Sequence, residues 1–172
     1  GHYLAFPTVN LSFSGDTSRT AVERFDKDVA PFRPPYLLIL MGTNSLRAGV
    51  EPADVIADME QVKAKCLAYG IRPVFLTLPP LNPDNIRAAF GQDTVRSWRE
   101  AIAAVNSYVK TQVHVDITPG MADERGELRE DLAVDGLHLD PPGKRLMAEA
   151  INAAWPDITA LPDEAWNADD KS

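Results

Sequence analysis

The sequence predicts an α/β domain built on a doubly wound parallel sheet with helices on both faces. Three observations carry that expectation. Short apolar runs alternate with long helical patterns along the whole chain. The run YLLILM, residues 36 to 41, is apolar at successive positions, as a strand covered on both faces must be. Each connection between runs is long enough for the crossover that parallel strands require.

The elements follow in order. TVNLSF, Thr8 to Phe13, reads as a strand running into the turn residues SGDTS. Thr20 and Glu23 have the spacing of a capping box, which starts a helix near Thr20. After YLLILM a helix opens near Pro52, a good first-turn residue, and stops at Gly70. In it Val55, Met59, Val62 and Cys66 share a buried face, while Asp54, Asp58, Gln61 and Lys65 share a solvated one. PVFLTL, Pro73 to Leu78, is the next strand. The loop PPLNPDN and a short IRAAF segment lead to a helix over Thr94 to Lys110, with Val95, Trp98, Ile102, Val105 and Val109 inward. VHVDI, Val113 to Ile117, is the fourth strand. A polar loop then delivers DGLHLD, and a last helix runs from Pro142 to Trp155, leaving residues 162–172 as a frayed tail. No internal repeat or low-complexity linker divides the chain, so 1–172 is expected as one domain.

Composition narrows the function. A chain of 172 residues can bury roughly 70% of its unfolded surface in one core. Its net charge of −8 repels phosphate backbones and anionic lipid, so neither nucleic acid nor a membrane surface is an expected partner. The single cysteine, Cys66, forms no internal disulfide, which favours a reducing, cytoplasmic setting. The chain opens on GHYLAF without an initiator methionine, so the true beginning is expected upstream.

Ligands of such sheets bind beyond the carboxyl ends of the strands, where SGDTS, MGTNSL and DGLHLD all lie. In DGLHLD an aspartate at 135 precedes a histidine at 138 by three residues. Across one tight turn Asp135 can accept the imidazole Nδ1–H, fix the tautomer and leave Nε2 as a base. The same spacing also suits an aspartate that merely caps a turn. Asn44 follows a buried strand, where its amide could serve a developing oxyanion or simply a turn. Gly15 could bring its N–H close to a ligand or only turn the chain. His114 and Asp116 alternate with valines in a strand and read as solvated or edge-facing. Cys66 and Trp98 belong to apolar helix faces. Without a cysteine pair or an E-x-x-H, the histidines make no metal site.

Together these residues resemble the SGNH, or GDSL-type, hydrolase family. NLSFSGDTS is similar to its second block, whose glycine N–H serves the oxyanion hole. LLILMGTNSL resembles the third block, whose asparagine does the same, with Ser45 where the family usually has Asp or Asn. VDGLHLDPPGKRLMAEAI resembles the fifth, with its D-x-x-H pair. The resemblance implies a flavodoxin-like sheet and a serine esterase acting on a small ester, thioester or other acyl substrate without a cofactor. In it His138 and Asp135 would be catalytic, and Gly15 and Asn44 would form the oxyanion hole.

The family's first block, the GDS serine on a central strand, has no counterpart in the residues before NLSFSGDTS. Two accounts stay open. Thr17 or Ser18 within SGDTS could be the nucleophile, Ser12 and Ser14 being better read as strand-end residues. Otherwise the strand and its serine lie outside this chain, which could equally have become a non-catalytic binding domain on the same scaffold. In the second account TVNLSF and YLLILM flank a gap. Either a complementing N-terminal segment fills it, or TVNLSF is displaced or swapped between chains.

Overall fold

The computed structural model of the chain describes the backbone of residues 9–12 and 17–171, and side chains from 17 to 167. Its elements are β1 (Val9–Ser12), α1 (Ser18–Asp28), β2 (Tyr36–Leu40), α2 (Thr43–Arg47), α3 (Pro52–Ala68), β3 (Arg72–Leu76), α4 (Pro83–Phe90), α5 (Trp98–Val109), β4 (His114–Val115) and α6 (Pro141–Thr159), followed by a 3₁₀ helix over Asp163–Lys171. The four strands are parallel and lie in chain order, β1-β2-β3-β4.

Strand order explains how the two faces are covered. Consecutive parallel strands joined by crossovers of one hand place their connecting helices on the same side. The inward side chains of α1, α3 and α5 accordingly share one core with Leu37, Ile39 and Phe75. The alternate strand positions, Leu38, Val74 and Leu76, face the other side, where Ile151, Trp155 and Ile158 of α6 cover them. Leu37, Leu38 and Ile39 at the centre of β2 are thus fully buried on both faces, which is why YLLILM carries no polar alternation. On this second face α6 is joined by Met121, Leu128 and Leu132 of the preceding loop and by Trp166 of the 3₁₀ helix.

The expected gap beside β2 is not present. β1 pairs directly with β2 over four residues, Val9↔Leu37 through Ser12↔Leu40. Val9–Ser12 thus lie against β2 within the same chain. An apolar β2 edge with unsatisfied backbone groups costs about 1–3 kcal/mol per group, and β1 supplies the partners.

Several boundaries move for identifiable reasons. The N-cap of α1 is Thr17, not Thr20: its side chain accepts the Thr20 N–H at 3.2 Å. β4 is only two residues long because Asp116 turns the chain. Its Oδ1 accepts from the Thr118 N–H, the Thr118 hydroxyl and the Thr77 hydroxyl. α4 is longer than IRAAF, since Asn82 caps it and Pro83 opens it. Within the stretch expected to fray, Asp163–Lys171 forms 3₁₀ turns in which Trp166 finds a site: its ring lies 5.9 Å from Tyr36 and under the Arg72 guanidinium. Asp58, assigned to a solvated helix face, is instead buried against α1. No helix among the described residues is long and apolar enough to cross a membrane.

Candidate active site

DGLHLD is shaped by its two end carboxylates and one glycine. Asp135 Oδ1 accepts the backbone N–H of Leu137 at 2.8 Å and of His138 at 2.7 Å. Its other oxygen, Oδ2, lies 2.9 Å from His138 Nδ1. Asp140 Oδ2 accepts the Val134 N–H at 2.8 Å, closing the loop from its other end. Gly136 is left-handed, at φ +79°, and a Cβ there would fall on the Asn82 carbonyl oxygen. Its own carbonyl accepts the Asn82 N–H at 3.0 Å, tying the loop to the start of α4. Only glycine meets both demands.

Burial opposes a charged Asp135, but the N–H groups of His138 and Leu137 and the imidazole outweigh it. They hold its carboxyl below the usual range. A charged Asp135 fixes Nδ1 as the protonated nitrogen, so Nε2 is the acceptor. Among the described residues Nε2, which is shielded from solvent, has no hydrogen-bond partner. Phe90, at the end of α4, stands edge-to-face with the imidazole at 6.0 Å.

Asn44 sits in the first turn of α2, immediately past the carboxyl end of β2. The turn depends on Gly42, at φ +101°, where a Cβ would strike Val55 Cγ1. The Asn44 side-chain oxygen accepts from Arg47 Nε at 3.0 Å and Nη2 at 2.9 Å. Arg47 reaches on to Gln92 Oε1 and the Asp93 carbonyl, immediately beyond α4. Residues 90–93 therefore touch the His138 ring through Phe90 and the guanidinium behind Asn44 through Gln92. Asn44 follows the carboxyl end of β2, and the loop that holds His138 follows β4 and is tied to the start of α4.

The remaining expectations divide. Gly15 lies outside the described residues. The Ser18 hydroxyl is buried and donates to Asp58 Oδ2 at 2.6 Å, with Arg19 3.3 Å from the same carboxylate. Thr17 Oγ1 is the helix cap and also meets Thr20 Oγ1 at 2.8 Å. Both hydroxyls hold α1 in place. The departure at Ser45 has a local effect: its Oγ accepts the Ser18 N–H at 3.0 Å, joining the starts of α1 and α2. His114 Nδ1 is 2.8 Å from the Gln112 carbonyl. Cys66 is buried, and burial pushes its thiol up to about 12. Phe90 and Arg47 were not singled out in the sequence. Arg47 had a signal, an arginine one helical turn after Asn44; Phe90 had none.

The comparisons with known proteins agree with this architecture. Residues 1–146 match the model of the GDSL-like Lipase/Acylhydrolase family. The chain is 24% identical over 158 residues to Esterase TesA of Pseudomonas aeruginosa, covering 91% of this chain and 71% of that one. The solved structure of a GDSL-like lipase from Bacteroides thetaiotaomicron superposes with a TM-score of 0.67 at 21% identity, over 84% of this chain and 73% of that one. The psychrotrophic esterase EstA of Pseudoalteromonas, solved with monoethylphosphonate as inhibitor, gives 0.64 at 17% identity, over 89% and 78%. The chain spans 61 to 71% of the length of the curated relatives it matches. On its sequence match and its fold, this chain belongs to the GDSL-like lipase/acylhydrolase family.

Proposed function

We propose that the full-length protein hydrolyses carboxylic esters or thioesters of small acyl substrates, with His138 as base. The observation that carries this reading is the Asp135–His138 pair. The carboxylate is held by two backbone N–H groups and touches Nδ1, so the imidazole presents Nε2 as an acceptor at the edge where ligands of such sheets bind.

In the proposed reaction a serine oxygen attacks the acyl carbonyl while Nε2 takes the serine proton. The carbonyl oxygen becomes an oxyanion, received by the Gly15 N–H and Asn44 Nδ2. Collapse expels the alcohol or thiol, which takes its proton from the imidazolium, and leaves an acyl-serine. Water repeats the sequence and releases the acid. Asp135 stays charged throughout, orienting the ring and stabilising the imidazolium. The serine is assigned to a segment preceding residue 1. Supporting this, the Ser18 hydroxyl is committed to Asp58 and Thr17 to a cap.

Turnover of p-nitrophenyl esters of graded chain length by the full-length protein tests the reading. Wild type should hydrolyse the series with a clear length preference, and His138→Ala should lose several orders of magnitude in kcat. Equal turnover by wild type and His138→Ala would reject it.

A further inference from the structure

We infer that Arg47 is a positioning residue for the oxyanion hole: it sets which end of the Asn44 amide faces the substrate. The inference rests on the proposed esterase reading, since it concerns the same site.

An asparagine amide presents nearly the same shape when turned over, but the exchange swaps a donor for an acceptor. An oxyanion facing Nδ2 is stabilised; one facing Oδ1 is repelled. Arginine decides between them because its guanidinium has five N–H donors and no acceptor. Two of its nitrogens lie 2.9 and 3.0 Å from the Asn44 side-chain oxygen. Turning the amide over would set NH₂ against N–H twice and forfeit two charge-assisted bonds. Nδ2 is thereby directed away from Arg47.

The guanidinium is itself fixed. Arg47 is only 8% exposed, Nη2 also donates to Gln92 Oε1 at 2.9 Å, and Nη1 reaches the Asp93 carbonyl at 3.3 Å. The Arg47 carbonyl accepts the Val95 N–H at 3.1 Å, so its backbone is held as well. Among the described residues, the oxygens that accept from this cation are neutral: Asn44 Oδ1, Gln92 Oε1 and the Asp93 carbonyl. Its charge is therefore felt through the Asn44 amide, polarising Nδ2–H toward whatever negative charge develops beyond it.

The test has two arms on the full-length protein. In the kinetic arm, Arg47→Met should lower kcat by about 10²-fold with KM little changed. In an Asn44→Ala background the same change should cost nothing further. Equal losses in both backgrounds would overturn the inference, because a merely structural Arg47 acts whether or not Asn44 is present. In the spectroscopic arm, the Asn44 side-chain ¹H–¹⁵N pair is assigned by its loss in Asn44→Ala. That pair should move in Arg47→Met and return toward its wild-type position in Arg47→Lys less than fully. An unmoved pair would overturn the inference. Should Arg47→Met not fold, Arg47→Lys carries both arms, since it keeps a donor and the buried volume but loses the fork. If wild type hydrolyses no ester, the esterase reading fails, while the Asn44 resonances still decide the role of Arg47.

Discussion

Asp135 meets His138 twice, at the backbone N–H through Oδ1 at 2.7 Å and at the ring through Oδ2 at 2.9 Å. One carboxylate thus builds the turn and orients the imidazole. Asp135→Asn can keep the turn through its amide oxygen but cannot accept Nδ1–H with the same charge. We expect kcat to fall by about 10⁴, as when the tautomer is lost, with the fold retained. Steady-state kinetics beside a far-ultraviolet spectrum measure it; a loss within tenfold would show that the pair is only a turn.

The same carboxylate should make stability depend on acid. Its folded-state pKa is lowered, so its contribution is present above the unfolded value of about 3.9 and is lost as pH falls through the folded value. The stability difference between wild type and Asp135→Asn should be constant near neutrality and shrink below about pH 4. Denaturant titrations at graded pH read this, and a difference that grows on acidification would contradict it.

Gly136 carries the loop's backbone demand. Gly136→Ala sets a side chain at positive φ and against the Asn82 carbonyl, and should cost about 1–3 kcal/mol. Because the displaced loop holds His138, turnover should fall along with the denaturation midpoint. Unchanged turnover in a destabilised variant would separate the loop from the reaction.

Ser18→Ala removes the hydroxyl that Asp58 accepts. Leaving that buried carboxylate one donor short should cost about 1–3 kcal/mol while kcat stays near wild type. Abolished turnover in a folded Ser18→Ala would instead make Ser18 the nucleophile.

How much of this could be read from the chain depends on the range of the interaction. The periodic faces of α3 and α5 and the unbroken apolar run of β2 state their surroundings locally, and the structure buries Val55, Met59, Val62, Cys66, Val105 and Val109 completely. DGLHLD was legible for the same reason, since Asp135 and His138 meet within one turn. Contacts between distant segments were not. Asp58 looks solvated on a helical wheel because the hydroxyl that buries it lies 40 residues away. Trp166 sits in a polar tail and is held by Tyr36 and Arg72. The β1–β2 pairing depends on which strands compete for β2, and no local pattern reports that competition.

That pairing bears on the chain by itself. If the serine lies on a strand that belongs between β1 and β2, residues 1–172 alone should hydrolyse no ester, and adding the preceding segment should restore activity and break the Val9↔Leu37 register. Amide exchange of residues 9–12 with and without that segment follows the exchange of partners. Full esterase activity in pure 1–172 would contradict it.

The most direct test of the central claim is where an ethyl fluorophosphonate probe attaches to the full-length protein, read by peptide mass mapping. The account predicts one adduct, on a serine preceding residue 1, formed rapidly in wild type and only slowly in His138→Ala. An adduct on Ser18 or Thr17, or labelling that ignores His138, would contradict it.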